Sequence, residues 1–152
     1  MAAALLRQRL DRDGLSQEVS VVSAGVWAQE GHPASDNAVK CLAERGINLG
    51  GHRSQPVTLA LLEEADVVLV MEEAHRRSIF YLAPQHLAKV YLLSEMSGLY
   101  DDVGDPYGGE VAEYERTIGR LERLIDAGMP RLRQRLGLAP SPAAGDSRQL
   151  QS

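Results

Sequence analysis

The sequence predicts an α/β fold with a short parallel sheet and helices layered against it. Segments with helical spacing alternate with short apolar or β-branched runs, the pattern of strand–helix units. One of those runs, Asp66–Met71, is almost continuously apolar, as expected for a strand buried on both faces. The 152 residues are 44% apolar and 24% charged, which suits one globular domain able to bury a sizeable core.

Ala2–Leu10 has apolar residues at 2, 5, 6 and 10, with Arg7, Arg9 and Arg12 outward, and so reads as an amphipathic helix. Asp13-Gly14 ends it, and no capping residue precedes it. Val19–Ser23 reads as a strand because three valines supply β-branched bulk. After the loop Gly25–Pro33, Ser35 is placed to cap a helix running to Arg45, with Gly46 at its C-terminal stop. Thr58 is placed to cap a short helix, Leu59–Glu64.

Beyond the buried strand comes a helix, roughly Glu73–Leu82, and a further short strand, Lys89–Leu93. Ser94–Gly109, with four glycines and Pro106, is loop-like. Glu110–Leu136 is helical, with Ile118, Leu121, Leu124 and Ile125 on one face and Pro130 expected to kink it or start a new turn. Residues 1–136 form the domain, and Gly137–Ser152, small and polar, is expected to be a disordered tail.

A net charge of −5 argues against a nucleic-acid partner. No apolar stretch is long enough to span a membrane, and Met1–Leu6 lacks the flanks of a signal peptide, so a cytoplasmic protein is expected. One cysteine, Cys41, rules out a disulfide framework within these residues. Its position in the middle of a helix suits a buried core thiol, because a nucleophilic thiolate needs a helix N-terminus or cationic neighbours. The histidines show no metal-ligand spacing, so no metal and no cofactor are assigned.

Three places could carry chemistry. Asp105-Pro106-Tyr107-Gly108-Gly109 is by itself most often a solvated turn. Its functional reading makes Asp105 a general acid, Tyr107 a cleft wall, and Asp101 and Asp102 neighbours that favour a protonated Asp105. Ser23-Ala24-Gly25 leaves a predicted strand, either as a plain turn or with the Ser23 hydroxyl supporting an active loop. His52-Arg53-Ser54 is either a polar connector or the source of an orienting histidine. Trp27, the one tryptophan, suits the core or a ligand wall.

The order of these landmarks is more specific than any one of them. Ser23–Trp27, Gly31–Ser35, Arg45-Gly46-Ile47, His52-Arg53-Ser54, Leu62–Met71 and Asp105–Gly109 together resemble the low-molecular-weight protein phosphatases, in their bacterial tyrosine and arginine phosphatase branch. The resemblance implies a three-layer sandwich with a four-stranded parallel sheet. It also implies a two-step reaction through a cysteinyl-phosphate on phosphotyrosine or phosphoarginine in a protein substrate. By resemblance Asp105 is the general acid and base, Ser23 and His52 support the phosphate loop, and Trp27 and Tyr107 line the substrate cleft. A monomer is implied.

In that family the nucleophilic Cys and the phosphate-binding Arg stand in a Cys-x5-Arg loop after the first strand. Here Met1–Arg7 resembles the residues that follow the loop, and strand, Cys and Arg do not occur in the 152 residues. The expectation is a sequence begun at an internal Met, with a first strand and loop of about 15 residues lacking. The chain as written is then inactive and poorly folded. The alternative is a non-catalytic pseudophosphatase or binding remnant. Arsenate reduction on the same fold, which uses additional redox cysteines, ranks lower.

Overall fold

The structure is a computed structural model and describes residues 1–140. Helix α1 (Ala2–Arg12) leads into an extended segment, and helices α2 (Asp36–Ala43) and α3 (Leu59–Glu64) follow. Strand β1 (Val68–Val70), helix α4 (Glu73–Leu82), a 3₁₀ turn, strand β2 (Val90–Leu92), a second 3₁₀ turn (Leu93–Ser97) and the long helix α5 (Val111–Arg135) complete the order. Both expected caps form: Ser35 accepts a hydrogen bond from the Ala38 amide, and Thr58 from that of Leu61.

β1 and β2 pair in parallel, Val68 opposite Val90, Leu69 opposite Tyr91 and Val70 opposite Leu92. Side chains alternate between the sheet's two faces. Val68, Val70, Val90 and Leu92 join Leu62, Ile79 and Ala83 in one apolar cluster on the α3–α4 side. Val67, Leu69, Met71 and Tyr91 pack on the other side, against the larger core made by α1, α2 and α5. The parallel sheet between helical layers is therefore as expected. α1 has no side-chain cap and is held instead by burial of Ala4, Leu5 and Leu10.

One strand departs from expectation. Val19–Ser23 forms no strand, although its side chains alternate as one would: Val19 and Val21 lean on the larger core while Val22 is 60% exposed. A strand is defined by its ladder, and among the described residues none forms here; the Val21 and Ser23 carbonyls accept instead from the side chains of Arg7 and Gln55. Among the described residues the amides of Ser20 to Ala24 have no protein acceptor. Two strands are paired where three were expected.

α5 runs through Pro130 as one helix. A proline inside a helix costs about 3 kcal/mol, and burial of Ile125, Met129 and Leu132 on either side of it offsets that cost. At Gly128 the helix passes close to the second 3₁₀ turn, where an added Cβ would stand 2.8 Å from that of Met96. Beyond α5, Leu138 packs on the core and its amide bonds the Arg133 carbonyl. The rest of the expected tail, 141–152, lies outside the described residues. Among the described residues, no helix is long and apolar enough to cross a membrane.

Candidate active site

A cavity of about 950 Å³ lies between β1 and the extended segment 19–24. Ser23, His52, Asp105 and Tyr107 all line it, together with Met1, where α1 begins. The structure thus gathers four of the five expected site residues from distant parts of the chain. Helix N-termini favour anions, and the carboxyl ends of parallel strands are the usual ligand side of such sheets.

The Asp105 loop is shaped by its glycines. The Gly109 amide bonds the Pro106 carbonyl at 2.7 Å, and Gly108 has φ 81°, the conformation a type II turn demands at that position. Asp105 Oδ1 accepts the Tyr107 amide at 3.0 Å, fixing the carboxylate on its own turn. Asn37 of α2 donates to the Gly109 carbonyl at 3.0 Å, and Ser35 bonds the Tyr114 hydroxyl at 2.9 Å, so α2 holds the far end of the loop. Asp102 bonds the Glu73 amide at the start of α4, and Asp101 faces Arg120. Both carboxylates expected beside Asp105 thus have other partners.

Residues 29–32 and 52–54 are tied together. The Ser54 amide bonds the His32 carbonyl at 2.7 Å, and the Ser54 hydroxyl bridges the His32 amide and the Gln29 carbonyl. This places His52 half-buried at the cavity. Burial pulls its imidazole below the ordinary value of 6.5, helped by the Met1 amino group, Arg7 and Arg53. Folding therefore favours neutral His52, and its contribution to stability is complete above pH 6.5. That contribution is lost as pH falls through the lower folded-state value. His52→Asn is expected to flatten the pH dependence of stability below pH 6.5. Urea midpoints measured from pH 5 to 8 check this, and an unchanged slope would count against it.

Trp27 and Tyr107 are exposed at 71% and 80%. Trp27 stands outside the cavity lining and meets the His75 ring edge-on at 5.6 Å. His75, whose spacing gave no metal-ligand pattern, does line the cavity and pairs with Glu72 at 3.3 Å. The available signal was a Glu and a His three apart, directly after a buried strand. Cys41, by contrast, is fully buried away from the cavity. Desolvation raises its thiol pKa, and the neighbouring Glu115 carboxylate adds to the effect.

These features can be set against known proteins. Residues 1–137 match the family model for low molecular weight phosphotyrosine protein phosphatase. The chain belongs to that family. Within it, this phosphatase-family chain is 39% identical over 133 residues to the probable low molecular weight protein-tyrosine-phosphatase EpsP of Ralstonia solanacearum, covering 88% of this chain and 86% of the relative. It is 40% identical over 126 residues to the protein-arginine-phosphatase of Bacillus subtilis, with 82% of each covered. The fold superposes on a mutant of YwlE from Bacillus subtilis with a TM-score of 0.81 at 38% identity, spanning 87% of this chain and 88% of that one. A YwlE arginine phosphatase variant with a phosphorylated active-site serine in place of cysteine also gives 0.81 at 38% identity, covering 89% of each chain. Both branches of the low-molecular-weight phosphatases expected from the landmarks are represented.

Proposed function

We propose that the site serves hydrolysis of protein phosphotyrosine, with phosphoarginine as the alternative, through a cysteinyl-phosphate. The observation that carries this reading is the convergence of Asp105, Ser23 and His52 on one cavity at the start of α1. In the first step a thiolate of a Cys-x5-Arg loop attacks phosphorus and the P–O or P–N bond to the leaving group breaks. Asp105 gives its proton to that leaving atom. In the second step Asp105 takes a proton from water as the water oxygen attacks phosphorus, releasing phosphate and thiolate. The exposed rings of Trp27 and Tyr107 suit a planar substrate group, whether phenyl or guanidinium. The phosphorylated serine of the YwlE variant supports a covalent intermediate. The substrate is a phosphorylated protein, and the enzyme acts in the cytoplasm as a monomer.

Cys41 cannot be the thiol, because it is buried and its pKa is raised. The 152-residue chain alone is expected to show no thiol-dependent turnover of p-nitrophenyl phosphate. A chimera that places an apolar strand and a Cys-x5-Arg-Ser-Pro loop ahead of Met1 is expected to turn it over. Comparing phosphotyrosyl and phosphoarginyl peptides on the chimera then chooses the substrate. Turnover by the 152-residue chain that vanished in Cys41→Ser, or a folded but inactive chimera, would sink the reading.

A further inference from the structure

The segment that leads to Asp105 is largely exposed, yet it is tied at each of Asp101, Asp102 and Val103. Ser94 is 1% exposed, and its hydroxyl bonds both backbone groups of Asp101. It accepts the Asp101 amide at 2.9 Å and donates to the Asp101 carbonyl at 2.8 Å. The Asp102 carboxylate accepts the Glu73 amide at 3.0 Å, and the Asp102 carbonyl accepts from Arg120 of α5 at 3.0 Å. The Val103 amide bonds the Met71 carbonyl at 2.8 Å, just past the end of β1, and the Val103 side chain is buried. Gly104 follows, where an added Cβ would meet nothing within 4 Å, and then Asp105.

We propose that Ser94 and Arg120 are positioning residues for Asp105. By holding residues 101–103 as a stem, they set where the general acid stands. The assignment rests on Asp105 being the acid and base of the proposed reaction. Two residues span at most about 7 Å, so the place of the Asp105 carboxylate follows from where Val103 is held. A proton donor has to come within about 3 Å of the leaving atom, and a displacement of about 1 Å can lower a rate about 100-fold. A surface connector with no such task is ordinarily left mobile, because ordering it costs conformational entropy. Here a buried hydroxyl and a guanidinium, from two other elements, oppose that entropy at adjacent residues. The Ser94 hydroxyl is the more informative of the two. A buried hydroxyl needs partners, and both of its partners belong to one stem residue. Asp101 and Asp102 thus serve Asp105 through backbone placement, with their charges directed elsewhere.

The test compares Ser94→Ala and Arg120→Met in the chimera, each with and without Asp105→Asn. Single-turnover rates are measured with phenyl phosphate and with an aryl phosphate whose phenol leaves readily as its anion. Ser94→Ala is expected to slow phenyl phosphate about 10-fold or more and the second substrate about 3-fold or less. Arg120→Met, at a side chain 40% exposed, is expected to show the same bias at smaller size. On top of Asp105→Asn, either change is expected to alter the rate less than about 2-fold, because residues that act through one group are not additive. A general loosening of the fold would instead slow both substrates alike and persist beside Asp105→Asn. Equal loss for both substrates, full loss in the Asp105→Asn background, or no loss in either variant would overturn the inference. If Ser94→Ala does not fold, Arg120→Met decides by the same criteria. A folded but inactive chimera would remove the proposed function and this assignment with it. An active chimera whose variants fail these criteria overturns the assignment alone.

Discussion

Asp105→Asn in the chimera is expected to lower turnover of phosphotyrosyl peptides about 10²–10⁴-fold, the usual contribution of a positioned general acid or base. The carboxylate lies on a turn fixed by the Tyr107 amide and by Gly108, so Asn keeps the hydrogen bond and loses only the proton. The effect should depend on the leaving group. A phenol that departs readily as its anion needs little protonation, and with it the loss in the first step should shrink. Single-turnover rates for a series of aryl phosphates with phenols of graded acidity would measure this. A uniform loss across the series would make Asp105 a structural residue of its loop. In that case the Asn37 contact to Gly109, not proton transfer, would be the reason the loop matters.

Ile118→Ala is expected to cost about 2–5 kcal/mol of stability. Ile118 is wholly buried in the middle of α5, in the larger core that joins α5 to α1 and α2. Truncation there loses transfer energy and leaves a void that helices fixed on both sides cannot close. A domain has only about 5–15 kcal/mol in total, so a loss of that size is a large share of it. Urea titration of both chains, with Val22→Ala as an exposed control, reads the difference. A change below about 0.5 kcal/mol for Ile118→Ala would mean that α5 is not the keystone of the core.

How much of this was legible follows from how local each signal is. The α2 and α3 starts were readable because a cap is a contact three residues long, and Ser35 and Thr58 each make theirs. β1 was readable because burial on both faces leaves an unbroken apolar run. Val19–Ser23 had the right residues and the right alternation, yet its ladder depends on a neighbour that composition cannot supply. Pro130 argued for a break, and packing of Met129 and Leu132 overrode it. In the site, Ser23, His52, Asp105 and Tyr107 were found because their order along the chain matched a family. His75 had a local partner in Glu72, but its contacts with Trp27 and the cavity, which give it a place in the site, exist only in three dimensions.

The unladdered stretch from Ser20 to Ala24 has one further consequence, for cleavage. Proteases take their substrates as extended strands, and here the chain already presents that form, exposed at Val22 and, among the described residues, with no amide from Ser20 to Ala24 bonded to protein. Elastase, which cuts after small apolar residues, is expected to nick the folded chain there before anywhere else. The two pieces should stay together, because α1 remains fastened to α5 through Leu10 in the shared core and the Arg9 pair with Asp126. A nicked species that elutes as one body but runs as two fragments after denaturation would mark this stretch as the molecule's natural seam.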